Sequence, residues 1–163
     1  MISFKSLTRQ TEIGANCYLL KIGNKRILID AGMHPKEEGK KSLPDFSSIY
    51  EHDLDAAILS HAHLDHSGSM PIVQRHYPEM PVMMTEATST LSQALLHNSV
   101  NVMTSKRNEL GLDEYPFFTH REIHKISKRW CNRRTEKKFE LDNDGEIECT
   151  FYDAGHVLGA IGA

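Results

Sequence analysis

The chain has 163 residues, 39% of them hydrophobic and 25% charged, with a formal net charge of -3 at neutral pH. That length suits one domain or a large part of one; no apolar run approaches membrane-spanning length, and Met1-Ile2-Ser3-Phe4-Lys5 is not a secretory signal. Three widely spaced cysteines, Cys17, Cys131 and Cys149, exclude a disulfide framework and a Cys-x-x-Cys site and point to a reducing, cytoplasmic location, and the small net charge gives no global sign of a nucleic-acid partner.

In chain order, Ile2 to Leu7, Asn16 to Ile22 and Lys25 to Asp30 are rich in β-branched and apolar residues and read as strands. Gly23-Asn24 closes a hairpin between the last two, so the chain begins with antiparallel strands. Residues 31 to 53 read as a long loop, with a short helix from Asp45 to Tyr50 capped by Asp45. Asp55 to Ser60 is a short buried strand. A helix follows the next loop, with Pro71 in its first turn, and ends near Tyr77 before Pro78. Pro81 to Met84 is another short strand.

Thr85 to about Asn108 is the longest helical stretch, with Leu91, Leu95, Leu96, Val100 and Met103 forming its apolar face. A second helix runs from Thr119 to about Trp130, and Glu122 stands at capping-box spacing from Thr119. Two strands, Lys138 to Leu141 and Glu146 to Asp153, flank an Asp142-Asn143-Asp144-Gly145 turn and form a second hairpin. Residues 120 to 138 hold eight Lys or Arg against two Glu, whereas 139 to 163 hold six acidic residues and no basic one. The basic segment has two readings. It either tracks a phosphate backbone with Trp130 free to stack, or is a solvated helix end.

The chemistry concentrates in His61-Ala62-His63-Leu64-Asp65-His66, which puts four metal-binding side chains on a strand-to-helix loop. Imidazole and carboxylate are the usual protein ligands for zinc and similar ions, and an open set of them makes a catalytic site. Four such groups exceed what one ion needs from one loop. The surplus points to two ions side by side, an arrangement that activates a hydroxide and stabilises both attacking and leaving oxygens. A further candidate is His156, in Asp153-Ala154-Gly155-His156-Val157-Leu158-Gly159-Ala160, where a strand ends and small residues let the backbone come close. His61 and His63 need a third protein ligand, and no other His lies at a strand end followed by small residues. His34, His52, His76, His97, His120 and His124 read as loop or helix-face histidines.

His-x-His-x-Asp-His followed at long range by Gly-His-Val-Leu-Gly-Ala resembles the metallo-β-lactamase superfamily, and within it the β-CASP branch, which processes RNA and in some members DNA. Glu12 to Leu20 and Ile27 to Gly32 are similar to the family's first hairpin. Leu43-Pro44-Asp45-Phe46 and Tyr115 to Thr119 are further branch-like stretches. Thioesterase and glyoxalase-like members usually carry a Gly-His-Thr-Pro-Gly third motif closer to the first, whereas here 90 residues separate His66 from His156.

The resemblance implies an α/β fold, the metallo-β-lactamase αβ/βα sandwich. It implies that His61, His63 and His156 bind one zinc ion, that Asp65 and His66 bind the second, and that Asp30 orients the ligands from behind. Manganese or iron would suit the same ligands. The implied activity is phosphodiester hydrolysis of RNA, or of DNA, by a hydroxide bridging two zinc ions, with Asp65 also managing its proton.

No acidic residue follows His156, whereas family members supply a bridging Asp, the second layer of the sandwich, a cap domain and a last His after that motif. The chain is therefore expected to be an amino-terminal portion of the domain, with the second layer and cap absent, an exposed sheet edge, weak metal binding at the second position and no turnover of its own. Alternatives are a small-molecule ester, thioester or lactone hydrolase on the same fold, and a non-catalytic subunit of a processing complex. Homo-oligomerisation is left open by the sequence.

Overall fold

A computed structural model describes residues 1–9, 14–142 and 144–163. Glu12 and Ile13, part of the stretch likened to the family's first hairpin, lie outside the described residues, as does Asn143 of the 142–145 turn.

Six strands form one sheet in chain order. β1 (Ile2–Ser6), β2 (Tyr18–Ile22) and β3 (Lys25–Ile29) are antiparallel, and the two-residue Gly23-Asn24 turn sets Ile22 opposite Lys25. Gly23 has φ 61°, the left-handed conformation that a tight hairpin turn demands. From β3 onward the pairing is parallel, through β4 (Ala56–Ile58), β5 (Val82–Met84) and β6 (Trp130–Asn132). Parallel neighbours need crossovers, and helices supply them on one face.

Those helices are α1 (Ser47–Tyr50), α2 (Leu64–Ser67), α3 (Met70–His76), α4 (Glu86–Leu110) and α5 (His120–Ile126). Alternation along the strands sends Leu28, Ala57, Val82 and Met84 into the helical core, where they meet Ile49, Val73, Leu96, Val100, Met103 and Ile123. α4 starts at Thr85, whose side chain accepts from the Thr88 N–H at 3.2 Å, and stops at Gly111 in the left-handed conformation. Its buried face runs through Thr88, Ser89, Ser92, Leu96, Ser99, Val100 and Met103, so small hydroxyl residues carry four of its seven positions; Leu91, expected there, is exposed.

The opposite face differs from expectation. Ile27, Ala56, Ile58 and Met83 are covered by Leu141, Phe151 and Ile161, so a second layer is begun within this chain. It consists of the hairpin β7 (Lys138–Glu140) with β8 (Glu148–Thr150) and the pair β9 (Tyr152–Asp153) with β10 (Ile161–Gly162). The strand expected over 146–153 is split at Phe151, which turns fully into this core. Lys25, buried, ties the layer to β3 through an ion pair to Asp142 Oδ2 at 3.0 Å.

The second helix is also shorter than its pattern implied. α5 ends at Ile126, a single turn of 3-10 helix spans Ser127–Arg129, and Trp130 to Asn132 pair with β5. Trp130 is consequently buried, its indole N–H donating to Gln74 Oε1 at 2.8 Å. It is not free to stack on a base, which removes one support of the phosphate-tracking reading.

Candidate metal centre

The site lies at the carboxyl ends of the parallel strands, where an α/β sheet opens into loops. β4 runs out through the buried Leu59 to Ser60 and His61; His63 caps α2, and Asp65 and His66 stand within that helical turn rather than on an open loop. A second approach comes from β9. After Asp153 the chain turns through Gly155, at φ 64°, and presents His156. That turn is anchored at two points: the Ile161 N–H donates to Ser60 O at 2.9 Å, and Gly159 O accepts from Thr85 Oγ1 at 2.8 Å and Thr88 Oγ1 at 3.0 Å.

The result is a triangle of imidazoles. One ring nitrogen from each of His61, His63 and His156 lies within 4.8 Å of the others. Asp65 and His66 sit alongside, with His66 Nε2 3.6 Å from Asp65 Oδ2. The separation allows both atoms to face a common ion.

Behind the imidazoles is Asp30, buried at the end of β3 and in the left-handed conformation at φ 58°. Its carboxylate accepts from the Ser60 N–H at 2.7 Å, from Ser60 Oγ at 2.7 Å and from His66 Nδ1 at 2.7 Å. With its hydroxyl proton given to Asp30, Ser60 Oγ accepts from His61 Nδ1 at 3.0 Å. Both histidines therefore carry their proton on Nδ1 and turn the Nε2 lone pair outward, the tautomer a metal ligand needs.

Electrostatics separate the two. Burial, followed by repulsion from His66, lowers the His61 imidazole to about 4, so it is neutral at physiological pH. Burial also works against a charged His66, but the hydrogen bond and charge of Asp30, with the charge of Asp65, outweigh it and raise its value above the ordinary one. The donor set, imidazoles with a carboxylate, fits a borderline divalent ion.

Two contributors escaped the sequence reading. Asn16, just before β2, places its amide Nδ2 3.1 Å from His66 Nε2 and 3.3 Å from Asp65 Oδ2, and its backbone N–H donates to Asp65 O at 2.8 Å. Ser60 is the link between Asp30 and His61 just described. Gly32 belongs to the same packing, because a Cβ there would lie 1.7 Å from Asp65 O. Of the remaining histidines, His34 accepts at Nδ1 from the backbone of Lys36 and Glu37, and His76 packs on Tyr50. His97 of α4 meets both His120 and His124 of α5.

Residues 11–102 match the metallo-beta-lactamase superfamily. The chain belongs to that superfamily. The superfamily implies binding of divalent metal, and the imidazole triangle is a group of side chains that could hold such an ion. Integrator complex subunit 11 of Danio rerio is 33% identical over 155 residues, covering 91% of this chain and 25% of its own length. Endoribonuclease YSH1 of Saccharomyces cerevisiae is 31% identical over 160 residues, covering 96% of this chain and 20% of its own. Cleavage and polyadenylation specificity factor subunit 3 of Dictyostelium discoideum is 34% identical over 153 residues, with 92% and 19% covered. These relatives are of the β-CASP branch that the motifs resemble, and the chain spans a quarter or less of their length. No helix among the described residues is long and apolar enough to cross a membrane.

Proposed function

We propose that the whole protein hydrolyses phosphodiester bonds of RNA, with DNA as the alternative nucleic acid, at the centre described above. In this reading His61, His63 and His156 hold one zinc ion, Asp65 and His66 hold the second, and Asp30 orients ligands of both from behind. Manganese or iron suits the same ligands. When bound, the two ions activate water at neutral pH and offset the charge that builds on the phosphate oxygens.

The chain's own residues do the rest. Burial keeps His61 neutral, so its lone pair is free at physiological pH. Asp30, directly and through Ser60, holds His66 and His61 in one tautomer and one orientation. Asp65 Oδ2 accepts from the Asn16 amide at 3.3 Å, which leaves the other carboxylate oxygen to take up the proton of the attacking water. Beside it a cleft of about 490 Å³, lined by His63, Asp65, Leu95, Met103, Lys106 and Tyr115, has room for the substrate flanking the scissile bond.

The observation that carries this reading is the approach of His61, His63 and His156 within 4.8 Å from distant parts of the chain. Relatives named endoribonuclease support RNA as the substrate, and relatives named as complex subunits support a whole protein that works within a processing complex. A reducing, cytoplasmic setting belongs to the same reading, supported by three free cysteines.

The test pairs metal content with hydrolysis. A chain extended past residue 163 is expected to hold two ions by elemental analysis and to cleave RNA, with Asp65→Ala abolishing cleavage. An extended chain active on esters or thioesters but inert on RNA would overturn the substrate assignment, and one that holds no metal would overturn the mechanism.

A further inference from the structure

We propose that His97, His120 and His124 form a second metal site on the α4–α5 surface, distinct from the centre above, for a borderline divalent ion of the zinc class. His120 and His124 are one helical turn apart on α5, which places their side chains on one face about 5–6 Å apart at Cβ. From α4, His97 reaches the same point. Its Nδ1 lies 2.7 Å from His120 Nδ1, the two rings stack with centroids 5.0 Å apart, and the His124 ring centroid is 4.9 Å from that of His97.

The frame under these side chains is fixed before any ion arrives. α5 begins with a capping box in which Thr119 and Glu122 satisfy each other's backbone, and Arg75 Nε bonds Glu122 Oε1 at 2.7 Å. Below the histidines, Ile123 and Ile126 of α5 and Leu96, Val100 and Met103 of α4 are buried in one core. Only the three imidazole side chains have to adjust.

Protonation follows from Asn101, one turn beyond His97 on α4. Its Oδ1 lies 3.2 Å from His120 Nε2 and accepts the proton there, which leaves His120 Nδ1 with a lone pair. His97 Nδ1–H therefore donates to that lone pair. An ion taking the place of this single proton gains two nitrogens at once, while the His97 proton moves to its Nε2, and rotation of the exposed His124 supplies the third. Asn101 then stands behind His120 as the outer partner that a metal-ligating imidazole ordinarily has. Among the described residues no carboxylate forms an ion pair with any of the three. Burial and the neighbouring His120 and His124 lower His97, which favours its neutral, ligating form. Three nitrogen donors select zinc, nickel or copper over magnesium or calcium.

The test is a titration of Zn2+ into the chain carrying His61→Ala, His63→Ala, Asp65→Ala, His66→Ala and His156→Ala, followed by calorimetry. One saturable equivalent is expected; adding His97→Ala and His124→Ala should remove it, and Asn101→Ala should weaken it by about tenfold. A folded background protein that takes up no Zn2+, or an equivalent that survives His97→Ala with His124→Ala, overturns the proposal. If the background variant does not fold, ring resonances of the unaltered chain decide. Those of His97, His120 and His124 should move with Zn2+ and not with Mg2+, while those of His52 stay; unmoved resonances in the triad overturn the proposal.

Discussion

At Asp30 three donors converge on one buried carboxylate, and the backbone holds it in a conformation that few residues other than glycine adopt. Asp30→Asn keeps the size but puts an amide where at least one N–H or O–H must find an acceptor. A buried donor left unmatched costs about 1–3 kcal/mol. Because the lost acceptor also orients His61 and His66, zinc affinity is expected to fall by about 10–100-fold in a competition assay with a chelator. Unchanged affinity would show that Asp30 serves the fold alone.

The same residue sets a pH dependence in the metal-free chain. His66 has a raised value in the folded state, so its contribution to stability is fully present below the unfolded value and is lost as pH rises through the folded one. A metal ion must displace that proton, so binding beside Asp65 tightens as pH rises. Ring resonances should show His66 titrating above the ordinary 6.5 and His61 near about 4, with Asp30→Asn bringing His66 down. A His66 that titrates below 6.5 in the unaltered chain would refute the Asp30 assignment. Much of this residue-level picture was legible in the sequence, since the spacing of His61, His63, Asp65 and His66 on one turn limits where their side chains can go. Asn16 and Ser60 were not. Nothing in a polar residue's identity tells that folding will set Asn16 against a histidine fifty positions away.

Among the elements, the junction between α4 and the His156 turn is where geometry is tightest. Gly159 adopts φ +82°, and a Cβ there would lie 2.5 Å from Thr85 Oγ1, 2.8 Å from Ala87 Cβ and 2.9 Å from Thr88 N. Gly159→Ala therefore meets both backbone strain and backbone contact, worth about 1–3 kcal/mol. The turn must shift, carrying His156 with it, so the variant should lose zinc affinity as well as thermal stability. Thr119→Ala is the control. Loss of that cap costs about 1 kcal/mol and lowers the melting temperature with no change in affinity at the His61 centre. Equal affinity in Gly159→Ala and the unaltered chain would separate the turn from the site. The cap at Thr119 and the hairpin at Gly23-Asn24 were readable because they depend on neighbours in the chain. β6 was not, because three residues after a helix with no turn signal become a strand only through parallel pairing with β5, a long-range contact that local sequence does not encode.

Among the described residues, one face of the sheet is covered by the helices α1 to α5 and the other by short strands. The helical core engages Leu28, Ala57, Val82 and Met84, whereas Ile27, Ala56, Ile58 and Met83 rest against Leu141, Phe151 and Ile161. Phe151, at the break between β8 and β9, is the largest fully buried side chain on that second face. Phe151→Ala is expected to lose about 3–5 kcal/mol. The loss should not spread evenly, since regions with fewer buried apolar contacts open first. Hydrogen exchange should accelerate at β7 to β10 while amides of β3, β4 and β5, held by the helical core, stay slow. His156 is attached to the layer that opens and His61 to the one that does not. Zinc at the His61, His63 and His156 triangle should therefore weaken in this variant, whereas the pairing of Asp30 with His66, read from the His66 ring resonance, should persist. Uniform acceleration across the sheet would mean that both faces open as one cooperative unit and that the second layer is integral to the core.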